Sequence, residues 1–227
     1  MLILAVDTNT PAASTALLED SRLLAEANID AGLSHSEKLL PAVDFILHSM
    51  GYEIRDLEGL ALAVGPGSFT GIRIGMSTVK ALAHATGSRI APVSTLEALA
   101  WKLRSSSNPL VCPLMDAKKG EVYGALFEQR MSDRRVLIPQ NLYSPDDFFS
   151  RFPARRVISF IGSGVTPYKT LILDRFRPRA RFPSRSLFTA REIGDLGYEI
   201  LKENRGLEFR DVRPLYFRKS QAEENHP

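Results

Sequence analysis

Two aspartates and one glycine-rich loop are the features of this 227-residue chain best suited to chemistry. Asp7 ends the apolar run LILAVD and Asp116 ends LVCPLMD. Facing one another across a cleft, two such carboxylates would hold a hydrated Mg²⁺ on a nucleotide phosphate. Taken singly, each fits an Asx turn that caps a hairpin. The loop Gly65–Gly71 (GPGSFTG) lies between an expected strand and an expected helix. Gly65, Gly67 and Ser68 give it a backbone able to point several N–H groups at one spot, with a helix N-terminus behind them. That describes an anion site, and it equally describes a tight turn that packs a helix against a sheet. No Lys-Ser/Thr pair follows the last glycine, so it is not a Walker loop. Pro66 stands where a G-x-S-x-G elbow needs glycine. The histidines His35, His48, His84 and His226 show no close ligand spacing, and no structural metal is expected. Cys112 lies in an apolar run and reads as core.

The elements that must position these groups alternate. Leu2–Val6 and Ser14–Leu18 read as strand, turn and strand. The same pattern returns at Leu110–Met115 and Val122–Phe127, again with an aspartate at the first strand's end. An internal repeat of this kind constrains the whole fold. Between the copies, Ser34–Met50 predicts a helix with Ser34 and Glu37 as a capping box and Gly51 as its stop. Its apolar face is Leu39, Leu40, Val43, Ile46, Leu47 and Met50. Gly59–Val64 predicts a strand, Gly71–Thr86 a helix closed by Gly87, Ile90–Val93 a strand and Thr95–Leu103 a helix. Further on, Ser144-Pro145-Asp146-Asp147 opens a short helix, and Val157–Ile161 forms a strand. Thr189–Lys202 forms a helix capped by Thr189 and Glu192. The run Ser105–Pro109 is the clearest linker, so lobes 1–108 and 109–227 are expected in an α/β architecture.

Helix Gly71–Thr86 carries two stripes at helical spacing. Ile72, Met76, Val79 and Ala83 suit a sheet. Ile74, Thr78, Ala81 and Ala85, on nearly the opposite side, are mostly small and suit close approach of another helix. A surface helix needs only one apolar stripe, so this one is sandwiched inside the chain or docks a partner.

Net charge is only +3 but uneven. Residues 1–100 hold six Lys and Arg against eleven Asp and Glu, and residues 101–227 hold twenty-three against fifteen. Within Arg151–Arg185 nine cations meet one acid, Asp174, with Phe176 and Phe182 interleaved. This is a nucleic-acid footprint or a solvated basic face. A hydrophobic fraction of 44% is globular. The single cysteine excludes an internal disulfide. MLILAVDT lacks a basic leader, and no apolar run approaches the ~20 residues of a membrane span. A cytoplasmic location is expected.

Asp7 in LAVDTNT, HSEKLLP (His35–Pro41), GPGSFTGIRIG (Gly65–Gly75), DAKKGEVY (Asp116–Tyr123) and PLYFR (Pro214–Arg218) together resemble the TsaB (YeaZ) family. The resemblance implies an actin-like ATPase (sugar kinase, Hsp70 and actin) fold of two duplicated lobes with mixed sheets. It implies a part in forming N6-threonylcarbamoyladenosine at position 37 of tRNAs that read codons beginning with A. The implied partners are TsaD, with which the family pairs, and the ATPase TsaE. Members of the family also form homodimers, which leaves the state of the isolated protein open, and tRNA is met through the complex. The catalytic relative carries paired metal-ligand histidines on the helix after the strand read as Ile90–Val93. This chain has Ser94, Thr95, Leu96, Glu97, Ala98 and Leu99 there. It is therefore expected to be non-catalytic, with no cofactor of its own; ATP or ADP with Mg²⁺ is the ligand its cleft would take. The docking residues implied are Leu40, Phe45, Ile74, Thr78, Ala81 and Ala85. The competing readings are a small ATP-dependent kinase or ATPase using Asp7 and Asp116, and a metallopeptidase, against which the missing histidine pair argues.

Overall fold

The computed structural model describes residues 1–10, 13–29, 35–104, 106–129 and 134–218. The chain divides into two compact units. The first comprises Met1–Ala98 and Phe188–Tyr216, the second Leu99–Leu187 with the short return at 217–218. The single cut expected at 108/109 is thus replaced by an earlier one, and residues 188–216 come back to the first unit. The reason is visible in their packing, described below.

The first unit is built on strands β1 (Leu2–Asp7), β2 (Ala13–Glu19), β3 (Arg22–Ile29), β4 (Gly59–Gly65) and β5 (Arg89–Ser94). The sheet order is β3-β2-β1-β4-β5, with β2 antiparallel to its neighbours and β1, β4 and β5 parallel. β3, unread in the sequence, mixes polar and apolar residues and is half exposed, as an edge strand should be. The central strands β1 and β4 are buried at every position, and apolar up to the terminal Asp7 and Gly65, because helices cover both faces.

Period-two alternation sorts the strands' residues. Leu2, Leu4, Val6, Leu60, Leu62 and Val64 meet helices α1 (His35–Ser49) and α2 (Phe69–Thr86). Ile3, Ala5, Ala61, Ala63, Ala91 and Val93 meet helix α6 (Ala190–Lys202). The alanines let α6 lie close. A Cβ on its Gly197 would collide with Ala61, and one on Gly194 with Leu18. Glycine inside a helix costs about 1 kcal/mol against alanine, whereas overpacking a core costs about 1–3 kcal/mol. The packing term is the larger, and glycine is the residue that fits. Beyond α6 the chain bridges Leu207 to Ile90 in both directions (2.9 and 2.8 Å) and donates Leu215 N–H to Val64 O (2.8 Å).

The second unit repeats the plan. Its strands are β6 (Leu110–Asp116), β7 (Val122–Gln129), β8 (Arg134–Tyr143), β9 (Ile158–Ile161) and β10 (Ala180–Arg181), in the order β8-β7-β6-β9-β10. Again the second strand is antiparallel and the fourth parallel to the first. The helices are α4 (Pro145–Ser150) and α5 (Val165–Phe176). Ser144 caps α4 as expected, accepting from Asp147 N–H (3.3 Å), with Pro145 in the first turn. This core is aromatic. Phe148 stacks on Tyr143 (4.8 Å between centroids) and meets Phe152 edge-on (4.9 Å), while Phe149, Phe160 and Phe176 continue the cluster. Helix α3 (Thr95–Trp101) carries the chain from the first unit into the second.

Candidate functional site: the Asp7 corner and the open helix face

The corner where β1 ends is assembled from distant segments. Asp7 is 1% exposed. Its Oδ1 accepts the Asn9 N–H at 2.8 Å, and its Oδ2 accepts the Thr189 hydroxyl. That second bond overturns the expected Thr189–Glu192 capping box. Thr189 does precede α6, but its side chain makes no cap bond because it donates to Asp7 instead. Ser14 Oγ takes the Ala190 N–H (3.1 Å), fastening the helix start to β2. Asn9 Nδ2 donates to Thr95 Oγ1 (2.7 Å), and Asn9 Oδ1 is buried without a hydrogen-bond partner among the described residues.

The glycine loop closes on this same corner. Ser68 N–H donates to Asn9 O (2.7 Å), and the Thr8 hydroxyl donates to Gly71 O (2.7 Å). A side chain at Gly67 would strike Asn9 O, one at Gly71 would strike Thr8 O, and one at Gly75 would strike Thr8 Oγ1. Gly65 sits at φ +121° against Leu215 O. Ser68 is the N-cap of α2 and accepts the Gly71 N–H (3.2 Å). The loop's glycines therefore serve close approach, and two of the N–H groups near the helix start are engaged within the unit. Beside the loop, Phe69 stacks on Tyr216 (4.8 Å), and the Arg73 guanidinium lies 4.0 Å from the Phe69 ring centroid.

Asp116 occupies the matching position in the second unit and behaves differently. Its Oδ1 accepts Lys118 N–H (2.9 Å), the same i to i+2 turn as Asp7 to Asn9, and its Oδ2 accepts Lys118 Nζ (2.8 Å). Burial alone would raise this carboxyl; the Lys118 hydrogen bonds and charge outweigh it and hold it below the ordinary 3.8. Both aspartates thus make the Asx turn. Cys112 is buried, and burial pushes its thiol well up, as befits core. His48 lies 3.0 Å from an Asp44 carboxylate oxygen and His84 tilts against Phe209. His226 and the proposed cap Ser34 lie outside the described residues.

Helices α1 and α2 present the second feature. Ile72, Met76, Val79 and Ala83 are buried on the sheet, as the first stripe required. On the other stripe Ala81 and Ala85 are exposed, while Ile74 and Thr78 are half-buried, Ile74 against the core. On α1 the buried face is Leu39, Val43, Ile46 and Leu47; Leu40 is 50% and Phe45 68% exposed. Leu40 and Met50, expected on the buried face, face out: the sheet contact is narrow, and these two flank it. Of the six docking residues singled out in the sequence, Leu40, Phe45, Ala81 and Ala85 are exposed on two neighbouring helices, while Ile74 and Thr78 are half-buried.

Comparison with known proteins places this geometry. Residues 29–224 match the family model described as TsaD, tRNA N6-adenosine threonylcarbamoyltransferase. The chain is 30% identical over 226 residues to the tRNA threonylcarbamoyladenosine biosynthesis protein TsaB of Bacillus subtilis, covering 98% of this chain and 96% of that one. The chain belongs to the TsaB/YeaZ family. The solved structure of YeaZ from Pseudomonas aeruginosa superposes with a TM-score of 0.82 at 27% identity, covering 95% of this chain and 99% of that one. A ROK hexokinase from Thermus thermophilus reaches a TM-score of 0.52 at 13% identity over 89% of this chain and all of that one, a likeness of fold alone. The fold is the actin-like ATPase fold, and the family takes part in making threonylcarbamoyladenosine on tRNA. No helix among the described residues is long and apolar enough to cross a membrane.

Thr8 and Asn9 were not singled out by sequence, and Thr95 and Thr189 were named only for their places at helix starts, not as partners in this corner. Thr8 and Asn9 adjoin Asp7 and could have been. Thr189 is 182 residues away and left no local signal.

Proposed function

We propose that this chain is the non-catalytic partner subunit of the enzyme that threonylcarbamoylates adenosine 37 of tRNA, and that it acts by pairing with TsaD through the open side of α1 and α2. TsaE joins the complex, tRNA is met through it, and the isolated protein self-associates on the same face. The observation that carries the reading is that face: a 68%-exposed Phe45 and a half-exposed Leu40 on α1, and the exposed small residues Ala81 and Ala85 on α2, the helix that packs against it. Small side chains allow helix axes to approach closely, and an aromatic anchor beside them is the composition of an interface centre.

The reading needs no cofactor bound by this chain. The fold implies a Mg²⁺-nucleotide, and the residues present do not suit one. Asp7 is 1% exposed and both its oxygens already accept internal hydrogen bonds, from the Asn9 N–H and the Thr189 hydroxyl, which leaves the carboxylate little access to a hydrated ion. Ser68 N–H is likewise spent on Asn9 O. Where paired histidines would stand, Thr95 is buried and accepts from Asn9. A kinase or ATPase working through Asp7 and Asp116 would have to break these contacts.

Ala81→Arg tests the face. Ala81 is exposed, so the fold should be retained, while a central interface clash should weaken TsaD binding about 30-fold, roughly 2 kcal/mol. Calorimetry with purified TsaD, followed by a threonylcarbamoylation assay with and without this chain, reads both consequences. Unchanged affinity, or modification of tRNA by this chain alone, ends the proposal.

A further inference from the structure

The second unit carries a charge that the partner surface does not use. Residues 99–187 hold sixteen Lys and Arg against seven Asp and Glu. The acids are largely taken up locally: Asp116 by Lys118, Glu121 by Arg218, Glu128 by Arg156, Asp146 by Arg175 and Asp147 by Arg151. The surplus gathers where β10 pairs with β9. Arg179 donates to Pro153 O (3.1 Å) and Arg156 O (3.3 Å), while its own carbonyl accepts Ile158 N–H (3.0 Å). These bonds tie the 153–156 turn to the 177–181 segment, so two arginine-bearing stretches converge. Arg155, Arg177, Arg181 and Arg185 are exposed there, with no carboxylate at ion-pair distance among the described residues.

Beside them opens a cavity of about 620 Å³ lined by Ser106, Ser107, Asn108, Ser159, Arg181 and Phe182, with Val157 and Pro183. Its chemistry is mixed. Three hydroxyls can donate, while Asn108 Nδ2 already donates to Ser159 Oγ (2.9 Å) and Leu110 O (3.3 Å), leaving its Oδ1 as an acceptor. One guanidinium stands at the mouth, and one aromatic ring forms part of the wall. The Phe182 ring is fixed by stacking on Phe160 (6.0 Å). Hydroxyl donors suit ribose and phosphate oxygens, planar guanidinium suits phosphate, and a fixed ring suits a base. An acidic peptide would use the cations but would leave the ring and the hydroxyls without a purpose.

We propose that the β9–β10 edge of the second unit binds RNA directly, taking the phosphate backbone on Arg155, Arg177 and Arg181 and one unstacked nucleotide in the Ser107–Asn108–Phe182 cavity. The inference rests on the tRNA-modifying role above, and it adds a direct contact where that role needs none.

The test uses the full chain and a fluorescein-labelled 17-nucleotide anticodon stem–loop RNA with unmodified adenosine at its position 37, read by anisotropy across a salt series. Combined Arg155→Ala, Arg177→Ala and Arg181→Ala should weaken binding at least about tenfold and lower the slope of log K against log salt by about 2, near 0.7 for each single-strand phosphate left without its arginine. Because Arg181 also donates to Pro178 O and Ala180 O, the pair Arg155→Glu with Arg177→Glu, which leaves it in place, should show the same direction. Phe182→Leu should reduce affinity without changing the slope. Binding to TsaD should survive all three. Ala81→Arg should do the reverse, losing TsaD and keeping RNA, which separates this inference from the function it rests on. RNA affinity and salt slope unchanged in both arginine variants overturns the proposal. Loss of TsaD binding with RNA binding intact overturns it too, and marks the patch as a protein-docking surface.

Discussion

The two units share one strand order and one connectivity, yet they solve the same packing problem with different side chains. In the first, alanines on β1, β4 and β5 meet glycines on α6, and a second pair of helices fills the opposite face with leucine, valine and isoleucine. In the second, helices of 6 and 12 residues cover the sheet through an aromatic cluster. The surfaces diverge as well. Residues 1–98 with 188–216 carry eleven basic and seventeen acidic side chains, against sixteen and seven in 99–187. The comparison teaches that topology is set by the alternation of apolar strands and turns, which both copies kept. What a copy offers to the outside depends on residues the sheet does not need. The first unit offers a helix face, the second a cationic edge.

The largest expected effect that would test this contrast is Phe148→Ala. Phe148 is fully buried and touches Tyr143, Phe149 and Phe152, so truncation should cost about 4 kcal/mol. Hydrogen exchange should show β6, β7 and β9 losing protection while β1 and β4 keep theirs. Equal loss in both sheets would mean the two units unfold as one. Next comes the pair of matched aspartates. Asp7→Ala leaves a buried hydroxyl and a buried N–H without acceptors and should cost about 3 kcal/mol in urea denaturation. A cost below about 1 kcal/mol would show that the corner relaxes easily. The smallest effect belongs to Asp116→Asn. Its carboxylate is partly exposed and its partner Lys118 is at the surface, so solvent screening keeps the loss to about 0.5 kcal/mol at neutral pH. The Asp116 carboxyl is depressed in the folded chain, so its contribution is complete above the ordinary 3.8 and disappears as pH falls through the lower folded value. Thermal melts of wild type and variant should therefore converge in acid. Convergence on raising the pH would contradict the assignment.

Much of this was legible beforehand. The repeat of strand, aspartate, turn and strand was visible because period-two apolar runs and polar turns are local signals, and it held at both copies. The end of α2 followed from Gly87, in a left-handed conformation at φ +74° that glycine tolerates, whereas its start, expected at Gly71, lies at Phe69 behind the Ser68 cap. The two stripes of α2 were readable too, though not which neighbour each would meet. β3 and β8 escaped notice because edge strands mix polar and apolar residues without clean alternation.

By itself, the order of residues determined where strands, turns and helices form, that the plan occurs twice, and which family the motifs resemble; each depends on contacts within a few residues or on a spacing that can be counted. Only the tertiary structure decided that α6 returns to the first sheet, that Thr189 satisfies Asp7 rather than its own helix, that the loop glycines exist to clear Thr8 and Asn9, and that Ala81 and Ala85 of α2 stay exposed while Ile74 turns toward the core. Those outcomes join groups up to 182 positions apart. A donor's choice between a near and a far acceptor, or a glycine's need for space, is settled by what the folded chain brings beside it.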